Sequence, residues 1–508
     1  MENKNVMNKW IFFFICLLFI FAFIFSFNSV MSLLKYSVLV QHDQTIAFNR
    51  VFFEPEHGRY LSTFLVSLLT EKIPNLLNIH PNDFHCTLTP VIKSIVVCFI
   101  CLMFSFSIFL FRKKEKEKKN FLFFTFLVVY VTVFLALFND GYFPFLPSHY
   151  LHVFENMVFF EYPFSFLFYI PFMLIFFYYN NKNSCYEIPK NIYILWCIIT
   201  FLLGLTVELI ILPVLFFMVS MVLYYLLKYI KDKTLQKKKS LTNVCGVFCV
   251  YIISLLVYFA SGNDFASVYE GGFYNYINNE FLNFWSIFFG FYILDEKTLF
   301  IIFGVLFVLT LFFGQKKLDK NLEFLMFVAL NILGVILYVF SSFLLGKETE
   351  VNSFFFVNSK WTLMYRTIII FYLLLTCGYF INVNSFLQKK ADVVISFLAV
   401  FVLFMFSESL IFNYLPNIKK ESDSMKDLRK VIYMAEKTAL YSSIDKIQMP
   451  QKDYEKCYFY DSCYIDYFLN VQKDRLNNKK FVEFVENYEY DENLFTESEL
   501  ENLRFSDL

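Results

Sequence analysis

The stretch Val40–Leu61, VQHDQTIAFNRVFFEPEHGRYL, sets His42, Asp43, Glu54, Glu56, His57 and Arg59 just beyond a long apolar run. A carboxylate at the mouth of an apolar bundle can be partly desolvated and act as a general base if it reaches the proton it removes. Asp43 has that position, and it reads equally as a solvated loop acid. Further on, Gly58 permits a tight turn, and Arg59 offers a planar fork that matches phosphate oxygens. His42, Glu56 and His57 are candidate substrate contacts, and Arg50 ranks lower because nothing adjacent fixes its geometry.

Three other places carry candidate groups. Arg366, in SKWTLMYRTIII, stands at the outward start of an apolar helix with Lys360 and Trp361 nearby. It can hold a phosphate or snorkel to lipid headgroups. FNDGYFPFLPSHYLHVFEN (Phe138–Asn156) brings Asp140, His149, His152 and Glu155 to one loop stiffened by Pro144 and Pro147. His149 and His152 are three apart and can share a helical face. The lack of a close carboxylate ligand set favours sugar hydrogen bonding or a surface role over a metal there. No cofactor is required by these residues, and a divalent metal stays open. Glu208 lies where a long apolar run breaks, at GLTVE. Placing a carboxylate at mid-bilayer costs about 2.5–3.5 kcal/mol, so it belongs at an outer turn with polar partners.

The elements that must position these groups are helices. Of 508 residues, 58% are hydrophobic and 17% charged, the composition of a polytopic membrane protein. The 73 Phe residues fill lipid-facing and helix-facing positions as Leu does. Formal net charge is zero, so no global basic field invites nucleic acid. The first run, Trp10–Leu34, is too long for a signal-peptide core and reads as a transmembrane helix. Further runs fall at 90–111, 121–138, 164–179, 241–260, 298–314, 322–345, 366–386 and 393–414. Ile192–Tyr229 is long enough for two, broken near Gly204–Glu208, which gives about eleven spans.

Charge distribution orients them. Arg112–Lys119 and Lys228–Lys239 each hold six Lys or Arg, with smaller groups at Lys316, Lys317, Lys320 and at Lys389, Lys390. Asn139–Pro163 and Ser261–Phe281 hold none. By the positive-inside rule the first set is cytoplasmic and the second external. The alternation closes with the N-terminus inside, the C-terminus outside, and Asn283–Leu294 lying in the interface without crossing. Residues 1–414 then form the bundle, with an outer loop at 35–89 carrying the candidate site. Residues 415–508 form a polar extracytoplasmic tail or small domain. Within the loop, YLSTFLVSLLTEKIPNLL (Tyr60–Leu77) has the apolar spacing of an amphipathic surface helix that ends near Pro74. Most of the eleven Cys sit inside spans as small hydrophobes. Cys457 and Cys463, in the tail, can pair or stay free.

An Asp shortly after the first helix, then Gly-Arg leading into a surface helix, on about eleven spans with an outward C-terminus, resembles the GT-C superfamily of membrane glycosyltransferases. HDQTIAFNRVFFEPEHGRYLSTFL looks most like the bacterial glucosyltransferases that decorate O-antigen and related bacterial membrane proteins. The likeness covers the topology of about the first 415 residues, and its motif is Asp43 with Gly58 and Arg59. Gln44 stands where that group often has a second acid, which counts against a two-carboxylate arrangement. The resemblance implies an all-α GT-C-like bundle in the bacterial inner membrane. It implies transfer of sugar from a polyprenyl-phosphate donor to a glycan or lipid acceptor at the outer face. Asp43 would then be the base and Arg59, Arg366 and Lys360 the phosphate cations. A flippase or transporter of lipid-linked saccharide is a rival, as is a saccharide polymerase or ligase. No Gly-x-Ser-x-Gly elbow or Gly-rich phosphate loop points to a soluble-type enzyme.

Overall fold

The computed structural model describes residues 17–35 in part, 60–111, 126–133, 159–182, 185–260, 297–344, 360–400 and parts of the tail from 419 to 506, with short gaps inside several of these ranges. The described residues are almost wholly helical. Among the described residues, four helices are long and apolar enough to cross a membrane, at Pro81–Ser107, Pro163–Asn181, Pro213–Lys231 and Leu235–Tyr258, and two shorter apolar helices cover Lys190–Leu203 and Thr367–Val383. The chain is thus a membrane-associated helical protein.

The described part of the first loop begins as α1 (Tyr60–Ser67), widens into a π-helical turn (Leu68–Lys72), and continues as α2 (Ile73–Leu77) and α3 (Pro81–Thr87) into α4 (Thr89–Ser107). The expected stop near Pro74 does not occur. Ile73 donates its backbone N–H to Leu68, and this wider register passes the chain into α2 with Pro74 in its first turn, where a missing N–H costs least. The helix ends instead at Asn78, in the left-handed region at φ 53°. The inward face of α1 and the π turn is rich in hydroxyls, with Ser62, Thr63, Ser67 and Thr70 buried. Leu76 and Leu77 face outward.

The bundle continues with α5 (Phe166–Asn181), α6 (Lys190–Leu203), α7 (Glu208–Lys231), α8 (Leu235–Ala260), α9 (Lys297–Phe313), α10 (Leu318–Leu344) and α11 (Lys360–Val383). Further helix lies at 20–28, 126–133 and 393–400. The break expected within Ile192–Tyr229 falls between Leu203 and Glu208. α7 packs against α10 and α8, α6 against α5 and α8, and α4 against α5 and α11.

Aromatic rings supply much of this contact. Phe176, Phe217 and Phe327 meet mutually edge to face with centroids 4.8–5.8 Å apart, joining α5, α7 and α10. Phe324 of α10 stacks on Tyr379 of α11 at 4.0 Å. Such pairs add roughly 0.5–1.5 kcal/mol beyond burial. Some buried hydroxyls pair across helices: Tyr169 meets Tyr372 at 3.0 Å, and Tyr251 donates to the Ile211 carbonyl at 2.5 Å.

The tail departs from pure helix. Its described positions between 419 and 437 are helical. They are followed by a two-stranded parallel sheet of β1 (Lys446–Pro450) and β2 (Phe481–Val485), with Lys446 opposite Phe481 and Pro450 opposite Val485. A short α12 (Glu497–Asn502) comes last. Cys457, Cys463 and the segment Asn283–Leu294 lie outside the described residues.

Candidate functional site

Among the described residues, a buried polar cluster forms where the end of the first loop meets the tail. α3 opens on a strong start signal: His80 at the N-cap accepts the Asn82 N–H through Nδ1 at 3.2 Å, and Pro81 takes the first position. That turn presents Asp83 to the tail. Arg429 Nη2 donates to Asp83 Oδ1 at 2.5 Å, and the Ser506 backbone N–H donates to Oδ2 at 2.7 Å. Arg429 also donates through Nη1 to the Asn82 carbonyl at 3.2 Å and through Nε and Nη2 to the Leu503 carbonyl at 3.2 and 3.0 Å. The His80 N–H reaches Ser506 Oγ at 3.1 Å.

Arg429 is 3% exposed and Asp83 8%, so two full charges are held away from water with directed partners on both. A buried pair of this kind pays its desolvation only when the remaining polar valences are met. Leu503 presents its carbonyl because it terminates α12 in the left-handed region at φ 46°. Both Asp83 oxygens are engaged, which suits this carboxylate to holding the tail rather than to moving a proton. About one turn into α4, Lys93 is fully buried with its ammonium 5.2 Å from the centre of the Phe159 ring, and His85 is buried in α3 just before it.

Outward of this clasp, α12 begins with a reciprocal capping box between Thr496 and Glu499. Lys437 bonds Glu499 at 2.5 Å. That charged hydrogen bond, then those from Thr496, pull the Glu499 carboxyl down to about 2.

A second polar layer lies at the other end of the bundle. Lys228, in the last turn of α7, bonds both Glu323 oxygens at 3.0 and 3.2 Å near the start of α10 and sits 4.5 Å from the Tyr224 ring centre. Tyr225 donates to Asn180 Oδ1 at 2.6 Å and meets Cys185 at 2.9 Å. Tyr379 bonds Asn321 at 3.0 Å. A small cleft here is lined by Phe177, Asn180, Asn181, Lys320, Glu323 and Phe324. α4 links the two layers. Asp83 lies just before its start, and Phe111, just past its end, packs edge to face on Phe324 and Tyr379. Nineteen residues of helix span about 28 Å, so the layers lie on opposite sides of a membrane-sized slab.

Of the residues singled out by sequence, His42, Asp43, Glu56, His57, Arg59, His149, His152 and Glu155 lie outside the described residues. Lys360 is the first residue of α11 and Arg366 lies in its second turn. Glu208 begins α7 immediately after the break. Asp83, Arg429 and Ser506 were not anticipated. The available signal was HPND, a cap followed by Pro and an acid at the threshold of an apolar span. Among the described residues no group of three or more His, Cys, Asp or Glu is placed to hold a metal ion. No family model matches the chain, and neither the curated proteins nor the solved structures compared with it gave a match.

Proposed function

We propose that this protein transfers a sugar from a polyprenyl-phosphate donor to a glycan or lipid acceptor at the face of the membrane that carries the first loop and the tail. The supporting observation is the clasp. The segment bearing Asp43 and Arg59 runs into α1, and the helical run that begins there is tied through Asp83, Arg429 and Ser506 to the tail. This happens at the end of the bundle opposite the lysine-rich turns, which the positive-inside rule assigns to the cytoplasm.

In this reading the donor's isoprenoid partitions among the apolar helices while its phosphate and sugar stay at the interface. Asp43 takes the proton of the acceptor hydroxyl as that oxygen forms its bond to the anomeric carbon. The bond from that carbon to the phosphate oxygen breaks on the opposite face, leaving polyprenyl phosphate and an inverted configuration. Arg59, with Arg366 and Lys360, receives the charge growing on the departing phosphate. Glu208, His149 and His152 are candidates for holding sugar hydroxyls.

The test is sugar transfer by purified protein with a polyprenyl-phosphate donor. Asp43→Asn is expected to insert and fold normally and to lose turnover by about 10²–10⁴-fold. Turnover at the wild-type rate would reject the assignment. Translocation of the lipid-linked sugar with no covalent product would favour a flippase.

A further inference from the structure

The turn joining α7 to α8 gathers six lysines between Lys228 and Lys239, with Asp232 as the sole acid. Two are committed: Lys228 to Glu323 and Lys237 to Asp232, at 3.0 and 2.5 Å. Lys231, Lys233, Lys238 and Lys239 are exposed. From this arrangement we propose that the turn is a binding site for anionic phospholipid headgroups in the leaflet on the lysine-rich side.

Helix length sets the depth. α8 has 26 residues, about 39 Å of helix against a hydrocarbon core of about 30 Å. Its surplus is the polar first turns, LQKKKS, which lifts Lys237–Lys239 into the headgroup zone. Apolar side chains are interleaved with these lysines. Leu235 is 68% exposed, Leu227 65% and Ile230 59%. An acidic protein or a nucleic acid would neutralise the lysines and leave those three in water. A phospholipid satisfies both, because its phosphate meets the ammonium groups while its acyl chain covers the aliphatic ones. The two internal ion pairs anchor the ends of the turn, and among the described residues no ion pair engages the four remaining lysines.

The experiment uses the full-length protein in nanodiscs of phosphatidylcholine with or without phosphatidylglycerol, with retained lipids counted by native mass spectrometry. The wild type is expected to keep phosphatidylglycerol preferentially. Raising salt from about 0.1 to about 1 M, which cuts the Debye length from about 10 to about 3 Å, should release it. Replacing the four exposed lysines by Gln should weaken retention by tenfold or more, on the order expected for several juxtamembrane charges. Replacing them by Arg should preserve it. Equal retention by the Gln variant, or retention by the wild type that ignores salt and headgroup charge, overturns the proposal. The salt series needs only the wild type, so retention that ignores salt overturns the proposal even if the Gln variant fails to insert.

Discussion

Asp83 and Arg429 illustrate how a single pair of residues can be indispensable without being reactive. Removing one partner leaves the other charged, buried and unmatched, so Asp83→Leu or Arg429→Met alone should cost about 3–5 kcal/mol. The double replacement should cost distinctly less than the sum, because it removes both desolvated charges together. Thermal unfolding in detergent, read as a double-mutant cycle, measures this, and additive losses would show that the pair is not coupled. Glu499 makes a prediction of the opposite kind. Its folded pKa of about 2 lies below the ordinary value of 4.5, so its contribution is fully present above pH 4.5 and disappears as pH falls through about 2. Protease sensitivity of the tail should therefore rise across that interval in the wild type. In Glu499→Gln it should be already raised at neutral pH and flatter.

At the scale of elements, helix contacts are decided by what fills the crossing points. Gly378 of α11 lies so close to α4 that a Cβ there would stand 2.2 Å from the Ile108 carbonyl oxygen and 2.7 Å from its carbon. These are backbone atoms and cannot rotate away. Gly378→Ala should destabilise by about 1–3 kcal/mol or more. Gly304 of α9 has nothing within 4 Å, so Gly304→Ala should be neutral or gain up to about 1 kcal/mol from helix propensity. Comparable melting temperatures for the two variants would contradict the packing described.

Much of this level was readable from sequence, since apolar runs longer than a bilayer is thick must be helices. The break before Glu208 was legible because the run Ile192–Tyr229 is too long for a single span and Gly204 falls within it. Pro74 misled because proline is penalised only where an N–H is required, and the wider turn before it places Pro74 where none is. The strands of the tail escaped notice: five-residue segments such as FVEFV alternate too briefly to separate from helix. The clasp was illegible for a different reason. Pairing Asp83 with Arg429 is a contact over 346 positions, and no local pattern encodes it.

The described residues are organised by two polar layers at opposite ends of α4. A reporter cysteine at exposed Ser498 should react with an impermeant maleimide from the same side as the first loop. One at exposed Gln236 should react only from the other side. Labelling of both from one side would dismantle the assignment of faces, and with it the proposed chemistry. The lysine-rich turns allow these faces to be proposed from sequence, whereas Asp43 and Arg59, the residues proposed to react, lie outside the described residues.

The separation between the two halves of the clasp also sets a timetable for biogenesis. Asp83 is translated 423 positions before Ser506, which at 5–20 residues per second amounts to roughly 20–85 s. Throughout that wait its carboxylate must stay hydrated beside a nascent hydrophobic segment. Ribosomes that stall in the tail would therefore leave a membrane-inserted chain with an unmet acid at its surface, a feature by which proteolytic surveillance can tell an unfinished product from a mature one.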